Sequence, residues 1–181
     1  MSIVQVDRSL KEPRYRFLET VREFLLEKLE EAGETNAARA AHLSHFIDFA
    51  EYRAPRLILG EGPELLAQIQ IEFDNLEDAL IFAESHEDPS PLLRLLTALT
   101  GYYEIWGQYQ HGMRWFDKAL ARPGAPAILT ARALWGASHV CAYGGRMDLA
   151  FPRAERAREM AQEIGDVWTE SRALDIIGFA Q

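Results

Sequence analysis

Apolar positions recur every three or four residues along most of the chain. Val21, Phe24, Leu25 and Leu29 keep an i, i+3, i+4 rhythm, with Leu26 beside them, and Gly33 stops it. A second helix is expected from about Thr35 or Asn36, carrying Ala41, Leu43, Phe46, Ile47 and Phe49 and ending before Pro55. Pro63 suits a first helical turn and opens a third region, Glu64 to about Ser85, with Leu65, Leu66, Ile69, Ile71, Phe73, Leu76, Leu80 and Phe82. Asp74 and Asn75 are expected to break that region in two. Ser90-Pro91 reads as a cap and a first-turn proline. Helices then follow over about 91–106, 109–121, 126–143, 147–164 and 167 to the end. Their links, "GQ", "PGAP", "GG" and "GD", are short enough to force antiparallel neighbours. Only the first residues depart from the helical period. "SIVQVD" and "RYRF" alternate with period two about the polar "RSLKEP", which predicts a β-hairpin that must lean on something to persist.

The helical part repeats. An offset of 38 aligns Arg94 with Arg132, Leu96 with Leu134, Thr100 with Ser138, Gly107 with Gly145 and Gly112 with Ala150. A further 40 aligns Arg132 with Arg172, Leu134 with Leu174 and Ser138 with Gly178. Each unit is thus a pair of helices. Leu96, Leu99, Thr100, Tyr103, Gly107, Gly112, Phe116 and Ala119 in the first unit resemble the tetratricopeptide (TPR) pattern. Small residues at 100 and 112 let helix backbones approach, and Tyr103 and Phe116 fill the seam between units. The second unit keeps Ala157 but has Cys141 for the Tyr and Ala154 for the aromatic. The third stops after its first helix, so its apolar face lacks a partner and the chain reads as part of something longer. The expected fold is all-α: a TPR-like antiparallel helix-pair array (an α-solenoid) with a short N-terminal β-hairpin remnant. Its expected parts are a hairpin over 1–18, a helical linker region over 19–88 and TPR-like repeats over 89–181.

The order of elements also resembles a family. Arg14 to Glu23, "RYRFLETVRE", is similar to the last hairpin of the winged-helix module in bacterial transcriptional regulators of the LuxR and AfsR/SARP kind and related STAND ATPases. Phe17 stands where their motif has Leu. Glu72 to Leu80, "EFDNLEDAL", is similar to the segment that follows, and a helical sensor array comes next in that family. The resemblance implies that 1–18 is the wing of a winged helix and that the helices form a regulatory module of a larger regulator. A stand-alone TPR-type scaffold is the alternative, and an enzyme with a dispersed site is a further one.

Composition narrows the chemistry. Hydrophobic residues make up 48% and charged residues 26%, which permits a sizeable core. With 19 Lys plus Arg against 28 Asp plus Glu, the net charge of −9 opposes direct contact with nucleic acid. The longest apolar runs are too short for a membrane span, and the single Cys141 fits a reducing cytoplasm. "GEGPE" lacks the Lys of a phosphate-binding loop, so no nucleotide or other cofactor is expected. His42 and His45 lack further metal ligands and read as surface histidines. Cys141 reads as a small core residue and not as a partner for His139. Glu72, Asp74, Glu77 and Asp78 read as a solvated helix face. Of the aromatic residues Tyr102, Tyr103, Trp106, Tyr109, Trp115 and Phe116, most are expected in the core. No catalytic constellation is evident, and the chain is expected not to be an enzyme.

Binding is the remaining activity. In the repeat register, the positions expected on a concave surface are Arg94, Thr97, Gly101 and Glu104 in the first unit. Arg132, Trp135 and His139 follow in the second, and Arg172, Asp175 and Phe179 in the third. Three arginines in register suit a carboxylate or phosphate, and an acidic peptide or another module of the parent chain is the expected partner. In the competing reading each arginine pairs with a neighbouring acid. The last helix, whose face with Leu174, Ile177 and Phe179 is expected to be partly exposed for want of a partner helix, is expected to promote self-association.

Overall fold

The computed structural model describes residues 4–7, 14–58 and 62–179. Among them are nine helices and one two-stranded ribbon, so the class is all-α. Two compact units, Met1–Ala41 and His42–Gln181, divide within a helix.

In the first unit, β1 (Val4–Asp7) pairs antiparallel with β2 (Arg14–Phe17), with Val4 opposite Phe17 and Val6 opposite Tyr15. The expected turn between them lies outside the described residues. Helix α1 (Glu19–Glu31) follows. None of its residues is buried, and Phe24, Leu25 and Leu26 remain exposed despite their helical spacing.

Helix α2 (Thr35–Ile58) begins in the first unit and ends in the second. It runs through Pro55, where the sequence predicted an end. Pro55 lacks the N–H that would bond the Glu51 carbonyl, but Leu57 beyond it is buried in the core, and that burial favours continuing the helix. Helices α3 (Gly62–Ile71) and α4 (Phe73–Glu84) are separated at Glu72, two residues before the predicted break. Then come α5 (Ser90–Ile105), α6 (Tyr109–Leu120), α7 (Ala127–Tyr143), α8 (Met147–Ile164) and α9 (Val167–Phe179).

Packing in the second unit follows a regular scheme. Each of α5 to α8 touches the next, and α5 also touches α7 as α7 touches α9. Alternate helices therefore lie side by side. The turns after α5 and α7 are built alike. Gly107 and Gly145 adopt left-handed backbones (φ 66° and 74°), and the following N–H bonds back to Tyr103 O at 3.0 Å and to Cys141 O at 2.8 Å. Only glycine takes that conformation without strain, and the bond closes the helix end.

The core changes character along the chain. Leu92, Leu93, Leu95, Leu96, Leu99, Tyr102, Tyr103 and Phe116 fill its first part. Beyond α6 the buried positions are mostly alanine: Ala131, Ala133, Ala137, Ala150, Ala154, Ala157, Ala161 and Ala173. Small side chains allow close backbone approach, and α7 against α8 is the most extensive helix contact. Cys141 is fully buried in this alanine-rich part, beside Ala150, Ala154 and Ile176. Tyr102, Tyr103, Trp115 and Phe116 are core as expected, whereas Trp106 is exposed. On α9, Leu174 and Phe179 are exposed. Among the described residues no helix is long and apolar enough to cross a membrane.

Candidate functional site

The side-by-side arrangement of α5, α7 and α9 aligns equivalent positions of successive helix pairs. Along them runs a cavity of about 640 Å³. Its lining is Glu51 and Ala54 from α2, Arg94, Thr97, Ala98, Thr100 and Gly101 from α5, Leu129, Arg132 and Trp135 from α7, and Trp168 and Arg172 from α9. A smaller recess of about 140 Å³ shares Trp135 and Arg172 and is lined also by His139, Tyr143, Asp175 and Phe179. Of the positions singled out in the sequence, Arg94, Thr97, Gly101, Arg132, Trp135 and Arg172 come together in the larger cavity. His139, Asp175 and Phe179 fall in the smaller one. Glu104 is engaged elsewhere, accepting a hydrogen bond from His139 Nε2 at 2.7 Å.

The three arginines differ in what they hold. Arg94 grips Glu51 with a fork, Nε to Oε1 at 2.8 Å and Nη2 to Oε2 at 2.7 Å. The hydrogen bonds it donates to that partner hold its pKa above the usual arginine value. Arg132 donates only its Nε, at 3.0 Å, to Asp166 Oδ2. Arg172 stands 3.9 Å from Asp175, too far for a hydrogen bond. Pairing with neighbouring acids is therefore complete at Arg94, partial at Arg132 and loose at Arg172.

Asp166 is placed by the turn that joins α8 to α9. Its N–H closes α8 on Ala161 O at 2.9 Å, and its carboxylate caps α9, accepting from the Thr169 N–H at 3.5 Å and from Thr169 Oγ1 at 2.7 Å. Burial raises the Asp166 pKa, but the hydrogen bonds from Arg132 and Thr169 outweigh that effect, and the carboxyl sits below its usual range. The charged cap therefore fixes the Arg132 side chain from behind.

Trp168 completes the wall. The guanidinium carbons of Arg132 and Arg172 lie 5.7 and 5.8 Å from its ring centroid, within cation–π range. The Trp135 ring meets it edge-on at 4.9 Å. Trp168 is not among the positions that the repeat register singles out, although it precedes Arg172 by four residues and so shares its helix face. Glu51 belongs to no repeat, so the register gives no signal for it.

The other candidates take structural places. His42 lies against Phe46, ring centroids 4.6 Å apart, and burial lowers its pKa, so it is not a free surface histidine. Glu77 is not simply solvated: it accepts from His111 Nε2 at 2.6 Å. Arg153 Nη1 donates to Cys141 Sγ at 3.0 Å, and burial pushes that thiol up. Among the described residues no group of three or more His, Cys, Asp or Glu is arranged to hold a metal ion.

No family model matches the chain, and no solved structure does. The chain is 29% identical over 188 aligned positions to a "Putative HTH-type transcriptional regulator" of Mycobacterium tuberculosis, and equally to one of Mycobacterium bovis. The match takes in 98% of this chain but 21% of each relative, so the chain spans about a fifth of their length.

Proposed function

We propose that this chain is the helical-repeat sensor module of a larger bacterial transcriptional regulator of the LuxR and AfsR/SARP kind, related to the STAND ATPases. It acts by binding a ligand or protein and carries no catalytic role of its own. The observation behind this reading is the similarity, across 98% of the chain, to one segment of HTH-type regulators. The stacking of α5, α7 and α9 supports a TPR-like solenoid, in which such helices offer one continuous binding surface. The first unit supports the rest. A two-stranded ribbon is marginal alone, and this one exposes Val6, Tyr15 and Phe17 beside a helix without buried residues. Those apolar side chains suit the wing of a winged helix docked on a further module. In this reading the protein works in the cytoplasm, where such regulators meet DNA.

The test is genetic. In the source bacterium, an in-frame deletion of residues 90–179 at the native locus should change transcript levels of a discrete gene set. The product of that locus should also occupy promoters in chromatin immunoprecipitation. Unchanged transcripts together with no promoter occupancy would refute the regulator.

A further inference from the structure

We propose that the cavity along α5, α7 and α9 binds a small organic carboxylate with an aromatic or apolar body, held by Arg132 and Arg172 against Trp168. The inference rests on the regulatory reading above and names the chemistry of its effector.

Size comes first. A volume of about 640 Å³ lies within the roughly 300–1,000 Å³ typical of small-molecule sites. The walls are mixed in a way that suits an amphipathic guest. Ala54, Ala98, Leu129 and Trp135 give it an apolar side, and the guanidinium groups give it a cationic one.

The arginines then select the charge. Arg94 is occupied by Glu51 in both arms of its fork. Asp166 engages Arg132 only through Nε, and no other group among the described residues bonds its two terminal nitrogens. Arg172 has only the 3.9 Å approach to Asp175. Two guanidinium groups with free donors therefore flank one indole, and their planar forks match the two oxygens of a carboxylate. A cationic guest is disfavoured, because arginines already approach the Trp168 ring and would repel it.

Net charge decides between a small anion and an acidic peptide. The chain carries −9 overall, so an extended acidic segment would meet repulsion over most of the surface. A small carboxylate meets only the cavity, whose lining holds three arginines against Glu51. Asp166 is a positioning residue in this site: it aims Arg132 and does not touch the ligand.

The test uses the 181-residue chain, 2-naphthoate as the probe and 2-naphthamide as its uncharged counterpart, by titration calorimetry or ligand-observed NMR. Naphthoate should bind saturably at one site, with naphthamide at least about tenfold weaker. Arg132→Gln and Arg172→Gln should each weaken naphthoate by about tenfold, with the melting temperature holding in Arg172→Gln and falling in Arg132→Gln, which takes a donor from the buried Asp166 carboxylate. Arg114→Gln, on the exposed side of α6, should leave binding unchanged. If Arg132→Gln fails to fold, Arg132→Lys keeps the charge without the fork and should still weaken binding. The proposal is overturned if naphthoate does not bind, if naphthamide binds equally well, or if the arginine variants bind as the parent does. It is also overturned if a glutamate-rich peptide binds and naphthoate fails to displace it. A failure here with altered transcripts in the deletion strain leaves the regulator standing with a different effector. Binding without any transcript change leaves the site standing and removes the regulator.

Discussion

Gly136 sits where α7 crosses both α5 and α6. A Cβ added there would lie 2.7 Å from Thr100 Oγ1 and 2.8 Å from Phe116 Cζ. Neither neighbour can retreat easily, since Thr100 is 2% and Phe116 0% exposed. Two effects oppose each other in Gly136→Ala. Alanine stabilises a helix interior by about 0.5–1 kcal/mol relative to glycine. Overpacking of a filled seam costs about 1–3 kcal/mol. Gly101→Ala separates the two, because its Cβ would meet only Leu57 Cδ1 at 4.0 Å, an ordinary contact. Gly101→Ala should therefore raise the melting temperature and Gly136→Ala lower it. Their difference isolates the packing effect, about 1–3 kcal/mol, because the helix preference is common to both. For a chain of this size that separates the two melting temperatures by at least about 2 °C. The assay is thermal unfolding followed by far-ultraviolet circular dichroism. Equal melting temperatures, or a more stable Gly136→Ala, would show that the α5–α7 seam is loose and that the cavity walls are not fixed by it.

Burial first, and Glu77 second, push the Tyr102 pKa up to about 12, and burial pushes Tyr103 well above its usual value. The folded chain thus keeps protons that an unfolded tyrosine loses near pH ~10. Stability should be whole below that pH and fall as pH rises through the folded value, and Tyr102→Phe with Tyr103→Phe should move the alkaline unfolding midpoint upward. Because the Tyr103 hydroxyl is buried without a hydrogen-bond partner among the described residues, Tyr103→Phe alone should be neutral or stabilising by up to about 1 kcal/mol; a marked drop in melting temperature would contradict this. Asp166→Ala should cost about 1 kcal/mol through loss of the α9 cap, whereas Asp166→Asn should retain most of it; equal losses would count against capping. The chain alone should give no saturable, sequence-dependent complex with duplex DNA in fluorescence anisotropy at low salt, given its net charge of −9.

Local order was legible in the residues themselves. The spacing of apolar positions marks α5 to α9 closely, because each of those helices presents one stripe to a core, and the same spacing marks α1 although none of its residues is buried. Gly107 and Gly145 mark turns because few other residues accept their backbone. The offsets of 38 and 40 place Arg94, Arg132 and Arg172 in one register, because equivalent positions of stacked helix pairs face the same way. The partners of those residues were not legible. Nothing in the repeat says that Glu51 from α2 occupies Arg94 while Asp166 takes only one nitrogen of Arg132. Nor does spacing say that α2 continues through Pro55, that Glu77 meets His111, or that α1 exposes its apolar stripe. Each of these depends on contacts between residues distant in sequence, where the burial or pairing of one side chain by another element outweighs local preference. Periodicity therefore placed the arginines, and only the tertiary fold decided which of them keep free donors.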